Sequence, residues 1–354
     1  MIPAGTRTMT WVWIVCVCVA LMVCGRAATA SAKPEAEDAK DALEAEPQHP
    51  ETRISNGVMS LKLYLPDAES GYYQGTRFDW SGVIARAEYK GHTLFGPWKP
   101  PLNPLKHDNV TGPAEEFSMD DPPGYEQAQP GEPFLKIGVG LLAKPDNGKD
   151  GQAPKYRFHG KYDLLKPGTW KVTQGKDWIQ FHQKIDTTFG YGYEYTKRIS
   201  LSEGKPQFVI RHVLKNTGEK PIDTTHYSHN FIIIDDDPVG PNYKLRLPFK
   251  APEPVDVKKG KARVEGDLLT MPAAFKGSIW VQLAGLTGDA CDNQATVLHE
   301  KSGLELHIRG DRPLLKYVVY GESLALCPEP FIAVKAAPGE TMAWDTTYTL
   351  SESK

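Results

Sequence analysis

The sequence has no excess of positive charge: 41 Lys and Arg stand against 44 Asp and Glu, a formal net charge of −3. A nucleic-acid binder needs a basic face for phosphates, and a protein held on an anionic membrane needs a polybasic segment; neither is present. Beyond residue 32 there is no long hydrophobic run, so nothing in the body of the chain reads as a membrane span. No segment longer than ten residues carries a convincing amphipathic helical period, and no internal repeat points to a propeller. G-x-S-x-G, P-loop, G-x-G-x-x-G and H-E-x-x-H motifs are all missing. Serine hydrolase, NTPase, dinucleotide enzyme and zincin are therefore unsupported. Cysteine is scarce too. Cys16, Cys18 and Cys24 crowd near the N-terminus, leaving only Cys291 and Cys327 in the body, in neither a Cys-x-x-Cys nor a zinc-ligand spacing. One disulfide and two separate thiols both remain open.

What the N-terminus does have is an apolar stretch. Residues 11–24 are fourteen apolar residues in a row, preceded by Arg7 and followed by small residues. At 1.5 Å rise per residue the stretch spans about 21 Å, short of a bilayer core of about 30 Å. Ala28-Thr29-Ala30 and Ala30-Ser31-Ala32 fit a signal-peptidase site. Residues 1–32 are read as a cleaved export signal, which puts the protein in a periplasmic or extracellular location, free of the membrane after cleavage. A lipoprotein anchor at Cys24 is the weaker reading, because Val23 is larger than the residue usual before an acylated Cys. Residues 33–52 are rich in Ala, Glu, Asp and Pro and read as a disordered spacer.

From residue 53 to 354 the dominant signal is period-two alternation. Val58–Leu65, Val83–Tyr89, Trp178–His182, Tyr193–Ile199, Gln207–Leu214, Leu304–Ile308 and Tyr317–Val319 are short, β-branched or aromatic, and bounded by turn residues such as Asn56-Gly57 and Pro338-Gly339. The expected fold is all-β: one large antiparallel β-sandwich, with a barrel as the other closed form. Residues 97–133 form a Pro/Gly/Asp-rich insertion, too long for a plain hairpin and suited to walling a cleft.

Several residues could carry chemistry. Glu329 lies in Cys-Pro-Glu-Pro, where two prolines fix the backbone around one carboxylate; it reads as a positioned general base or as an ordinary turn glutamate. His226 and His229 are three apart, so in a strand they face opposite sides of the sheet and only one can enter a given cleft. Asp235, Asp236 and Asp237 follow, without a firm metal-ligand spacing. His159 precedes Trp170, and Arg77 lies among aromatics beside Asp79. An Arg with ring faces nearby suits a sugar, while an Arg77–Asp79 surface pair is the structural alternative. Glu115 and Glu116 are adjacent and diverge in an extended segment, so one at most faces a cleft.

Taken in order, these pieces resemble the aldose 1-epimerase, or galactose mutarotase-like, superfamily. FHGKYDLLKPGTW is similar to the family segment holding one active-site His, here His159. VLKNTGEKPIDTTHYSHNFI is similar to the segment holding the other, which selects His229. CPEPFIAVKAAPGETMAWDTTYTL is similar to the family's C-terminal end, which selects Glu329. The opening segment places Arg77 as a sugar-binding Arg. The chain departs from the family in Ser228-His229, in lacking Asn-His-x-x-Gly-Gly around the first His, and in the 97–133 insertion.

The resemblance implies a large sandwich with a cleft on one face and a carbohydrate partner, with no cofactor. In it Glu329 removes the anomeric proton and His229 protonates the ring oxygen. His159, Arg77, His226 and Trp170 are the substrate-binding candidates. A non-catalytic carbohydrate-binding protein of the same fold is the alternative. A polysaccharide lyase or hydrolase, with Tyr227 and Glu116 as its only candidates, is the more distant one, since fold alone does not fix chemistry.

Overall fold

The computed structural model describes residues 49–146, 148 and 154–352; the stretches expected to be an export signal with its cleavage site, and most of the expected spacer, lie outside the described residues. The first strand, Glu51–Ser55, begins two residues ahead of the expected domain boundary. Each alternating segment named above lies in a strand or within a residue of one. The single helical element among the described residues is a 3-10 turn at Ala290–Asp292. No described helix is long and apolar enough to cross a membrane.

The described residues form four antiparallel sheets, and the two largest pack face to face. The larger has eleven strands, with Leu304–Gly310, Thr341–Glu352, Gln207–Asn216, Gly192–Leu201 and Trp178–Asp186 side by side in that order from its middle toward one edge. The strand Gln207–Asn216 illustrates why it forms. Phe208, Ile210, His212, Leu214 and Asn216 are buried, while the alternate residues are partly or fully exposed. Its neighbour repeats the pattern with Trp344 and Tyr348. In the paired register Phe208 stacks on Tyr348 at 4.5 Å and His212 on Trp344 at 4.8 Å. Such cross-strand aromatic pairs add about 0.5–1.5 kcal/mol beyond their area. Turn chemistry is equally local: Gly57 takes φ 85°, and the Asn56 side chain accepts from the amides of Val58 and Met59.

The second, front sheet runs in the order Ile279–Leu283, Lys316–Gly321, Leu326–Ala336, Ile222–Phe231, Gly112–Phe117. Ile222, Ile332 and Val334 on its inner face join one core with Leu214, Trp344 and Tyr348 of the large sheet. The outer face is roofed by loops and by the short strand Pro133–Lys136, so that residues 112–117 and 226–231 are buried without interruption. This corrects the expectation for residues 97–133. The stretch is not merely an insertion, because its middle is an edge strand of the front sheet. Gly112 (φ 74°) opens that strand, where a Cβ would sit 2.5 Å from the Ile84 carbonyl oxygen. Cys291 is exposed and Cys327 buried, and both are free thiols.

Candidate active site

The site sits on the outer face of the front sheet, and two prolines shape it. The ladder between Ile222–Phe231 and Leu326–Ala336 runs in register to Tyr227↔Phe331 and resumes at Ile232↔Leu326. Between these points Pro328 and Pro330 have no N–H to give, so the ladder opens there. The side chain of Asn230 partly closes the gap by donating to the Pro328 carbonyl at 2.8 Å. Glu329 therefore lies within a strand rather than in a turn. It stands opposite His229, with Oε1 3.2 Å from Nε2.

Alternation sorts the neighbours. Tyr227, His229 and Phe231 take the cleft side. His229 stacks on Phe231 at 4.1 Å, and Phe231 stacks on Trp98 at 4.7 Å. His226, Ser228 and Asn230 take the opposite side, toward the large sheet, where His226 meets Trp344 at 5.1 Å and Asn230 accepts from Tyr348. The next strand divides its glutamates the same way. Glu116 faces the cleft side, where Arg77 Nε (2.8 Å), Lys136 Nζ (3.0 Å) and Tyr227 Oη (2.6 Å) surround it. Glu115 faces inward, to His212 Nε2 at 2.8 Å and to Lys197. Burial alone would raise the Glu116 pKa; Lys136 and Arg77 outweigh it and hold the group below the usual carboxylate range.

Arg77 is held on every side but one. Nε pairs with Glu116, one Nη donates to Tyr227 at 2.7 Å, and the guanidinium carbon lies 4.4 Å and 4.3 Å from the ring centroids of Phe78 and Phe158. The other Nη makes no hydrogen bond among the described residues, and Arg77 lines the cavity. The Arg77–Asp79 pair does not form. Asp79 instead accepts from Ser81 and Tyr195 and lies 3.5 Å from Lys197. The cavity, about 270 Å³, is bounded by Arg77, His229, Glu329, Trp98, His107 and Trp280. Burial lifts the Glu329 carboxyl to about 8, with Arg77 working against the rise. Burial, and then the Arg77 charge, pushes His229 well below its ordinary value. Its Nδ1 has no hydrogen-bond partner among the described residues, which leaves Glu329 as the group placed to set where the imidazole proton sits.

The structure thus brings Glu329, His229 and Arg77 together. His159 is exposed and lines an adjoining cavity, its ring 6.3 Å from that of His107. His226 faces the sandwich interior. Trp170 lies on the outermost strand of the large sheet, against Phe181 and Tyr195. Tyr227 and Glu116 are fully buried and bonded to each other and to Arg77, which leaves neither free to act on a polymer. Sequence reasoning missed His107 and Phe158. The first sits in the loop-forming stretch flagged as a cleft wall, and the second immediately precedes His159.

Glu115, His212 and His226 lie within 4.8 Å of one another and are of ligand type, but the Lys197 ammonium already occupies the other oxygen of Glu115. Asp235, Asp236 and Asp237 do not converge either. They pair separately with His92, with Arg86, and with His299 and Lys301.

No family model and no curated protein matches the sequence. Solved structures match its fold. A Synechocystis sp. PCC 6803 protein aligns over 88% of this chain and 99% of its own at TM-score 0.54 and 12% identity. A GalM/aldose epimerase homologue from C. elegans aligns over 87% and 100% at TM-score 0.52 and 14% identity. A putative aldose 1-epimerase from Escherichia coli K12 aligns over 85% and 99% at TM-score 0.50 and 14% identity. The fold is that of the galactose mutarotase-like β-sandwiches.

Proposed function

We propose that the protein is an aldose 1-epimerase-like isomerase that interconverts sugar anomers between Glu329 and His229. The observation that carries this reading is the buried carboxylate–imidazole pair, 3.2 Å apart, on the wall of a cavity that also holds Arg77. The two groups are neighbours on one wall rather than facing each other across a gap. That suits the chemistry, because the anomeric hydroxyl and the ring oxygen are both bonded to C1.

The reaction needs one proton on the pair. The Glu329 carboxylate takes the proton of the C1 hydroxyl, C1=O forms as the C1–ring-oxygen bond breaks, and protonated His229 gives its proton to the ring oxygen. Rotation about C1–C2 and the reverse steps close the other anomer and restore the pair. Before sugar binds, the same single proton rests on Glu329, as burial dictates, with His229 neutral. The unpaired edge of Arg77 is suited to a sugar hydroxyl. Residues 1–32 are read as the export leader of a protein that works outside the cytoplasm.

The test is NMR saturation exchange between the anomers of a panel of aldoses, with Glu329→Gln and His229→Ala alongside the wild type. Catalysed exchange that falls at least about 100-fold in both variants supports the mechanism. If the wild type catalyses no exchange on any aldose but still binds sugar, the epimerase reading is lost and a carbohydrate-binding role replaces it.

A further inference from the structure

His107 is one wall of the cavity at Glu329. The same residue forms part of the wall of a second, larger basin of about 710 Å³, which lies between Gln74-Gly75-Thr76, the 103–107 loop and the His159–Leu164 segment. Its floor includes Trp80, buried and fixed by donating its indole N–H to the Gly75 carbonyl at 2.7 Å. The first basin, at 270 Å³, is close to the lower limit of small-molecule sites and suits a single sugar ring. The second is larger than the first and His107 borders both, so a ligand of two units would place one unit on each side of that residue.

The charges of the second basin are unbalanced. Lys106 and Lys161 line it, against the single carboxylate of Asp163. Lys161 makes no ion pair among the described residues. Lys106 reaches Asp108 only at 3.9 Å, and that carboxylate already holds Lys99 at 2.7 Å. Two ammonium groups lining one basin with polar Gln74, Thr76 and Asn103 suit a hydroxylated unit that carries a negative charge.

Resting on the reading of Glu329 and His229 as the ring-opening pair, the geometry points to a substrate class. The ligand is the reducing end of an acidic oligosaccharide. Its terminal aldose lies between Arg77, His229 and Glu329, and its second unit, bearing a carboxylate or a sulfate, lies over Lys106 and Lys161. A free neutral monosaccharide fills only the first basin.

The test is equilibrium binding by calorimetry, with anomer exchange measured separately. The ligands are free aldohexoses, neutral reducing disaccharides, and reducing disaccharides whose non-reducing unit carries either a carboxylate or a sulfate. At least one acidic set should bind about tenfold or more tightly than the aldohexoses and the neutral disaccharides, and the advantage should shrink as salt is raised. Which acidic set gains distinguishes uronate from sulfate. The Lys106→Ala/Lys161→Ala double variant, on exposed loop positions, should lose the advantage and leave aldohexose affinity within about twofold. Acidic disaccharides that bind no better than neutral ones, or an advantage that survives in the double variant, overturn the inference. If the lysine-dependent advantage is found while no anomer exchange occurs, the second basin stands and the epimerase reading falls. If exchange occurs without the advantage, the reverse holds.

Discussion

Raising the pH should switch the Glu329–His229 pair off. Burial holds the Glu329 proton up to about pH 8 and keeps His229 neutral well below its ordinary range. The form competent for ring opening, carboxylate plus imidazolium, carries the same single proton as the resting form, carboxylic acid plus neutral imidazole. The two differ only by a shift across 3.2 Å. Activity therefore follows the singly protonated pair, whose titration belongs to both groups together. kcat/KM should be level from weakly acidic pH to about 8. Above that it should fall about tenfold per pH unit, leaving on the order of 1% at pH 10. A lone glutamate base with the same pKa predicts the opposite, a rate that climbs until about pH 8. The sign of the slope between pH 7 and 10, in saturation exchange corrected for the buffer's own base catalysis, decides between them. A rising limb refutes the shared-proton argument.

The same group has a stability signature. A carboxyl lifted from 4.5 to about 8 in the folded state contributes its full stability below pH 4.5 and loses it as the pH rises to 8. The loss is on the order of 4–5 kcal/mol. Glu329→Gln should remove that decline, so the melting temperature of the variant should gain on the wild type between pH 5 and 9. Parallel curves would show that the carboxylate is not strained by burial.

Arg77→Met leaves Glu116 buried with Lys136 as its one full cation. Breaking a buried pair from one side costs about 3–5 kcal/mol, to be read from urea unfolding, and a loss below about 1 kcal/mol would contradict the network described here. For the thiols, Cys291 should be alkylated quickly in the native protein and Cys327 only after unfolding, as followed by peptide mass spectrometry. Equal rates would place Cys327 at the surface.

Much of the sandwich was legible because its strands have one wet face. Gln207–Asn216 alternates in sequence as it alternates in burial. The strands that build the site resist the same reading. Gly112–Phe117 and the second half of Ile222–Phe231 are covered on both faces, by the large sheet and by loops with the short strand Pro133–Lys136, so polar and apolar residues follow one another without a period. Glu115 and Glu116 look like surface residues in sequence and are buried because Lys197, His212, Arg77 and Lys136 arrive from distant segments. Glu329 was legible through its two prolines, although the reason differs from the one the sequence suggested. They open a ladder inside a strand and do not stiffen a turn. His107 carried no local signal, since only the fold brings it beside Arg77 and Glu329.

The site divides its labour between two kinds of scaffold. Glu329 and His229 are borne by inner strands of the front sheet, whose register is fixed by pairing on both sides. Arg77, Trp98, His107, Phe158 and His159 come from loops laid over that sheet. A change in loop length or sequence can therefore reshape what the cleft accepts while the proton-handling pair keeps its spacing. Ligand preference becomes an interchangeable part: grafting the 96–110 or 156–164 segment of a relative of the same fold should transplant selectivity onto an unaltered floor.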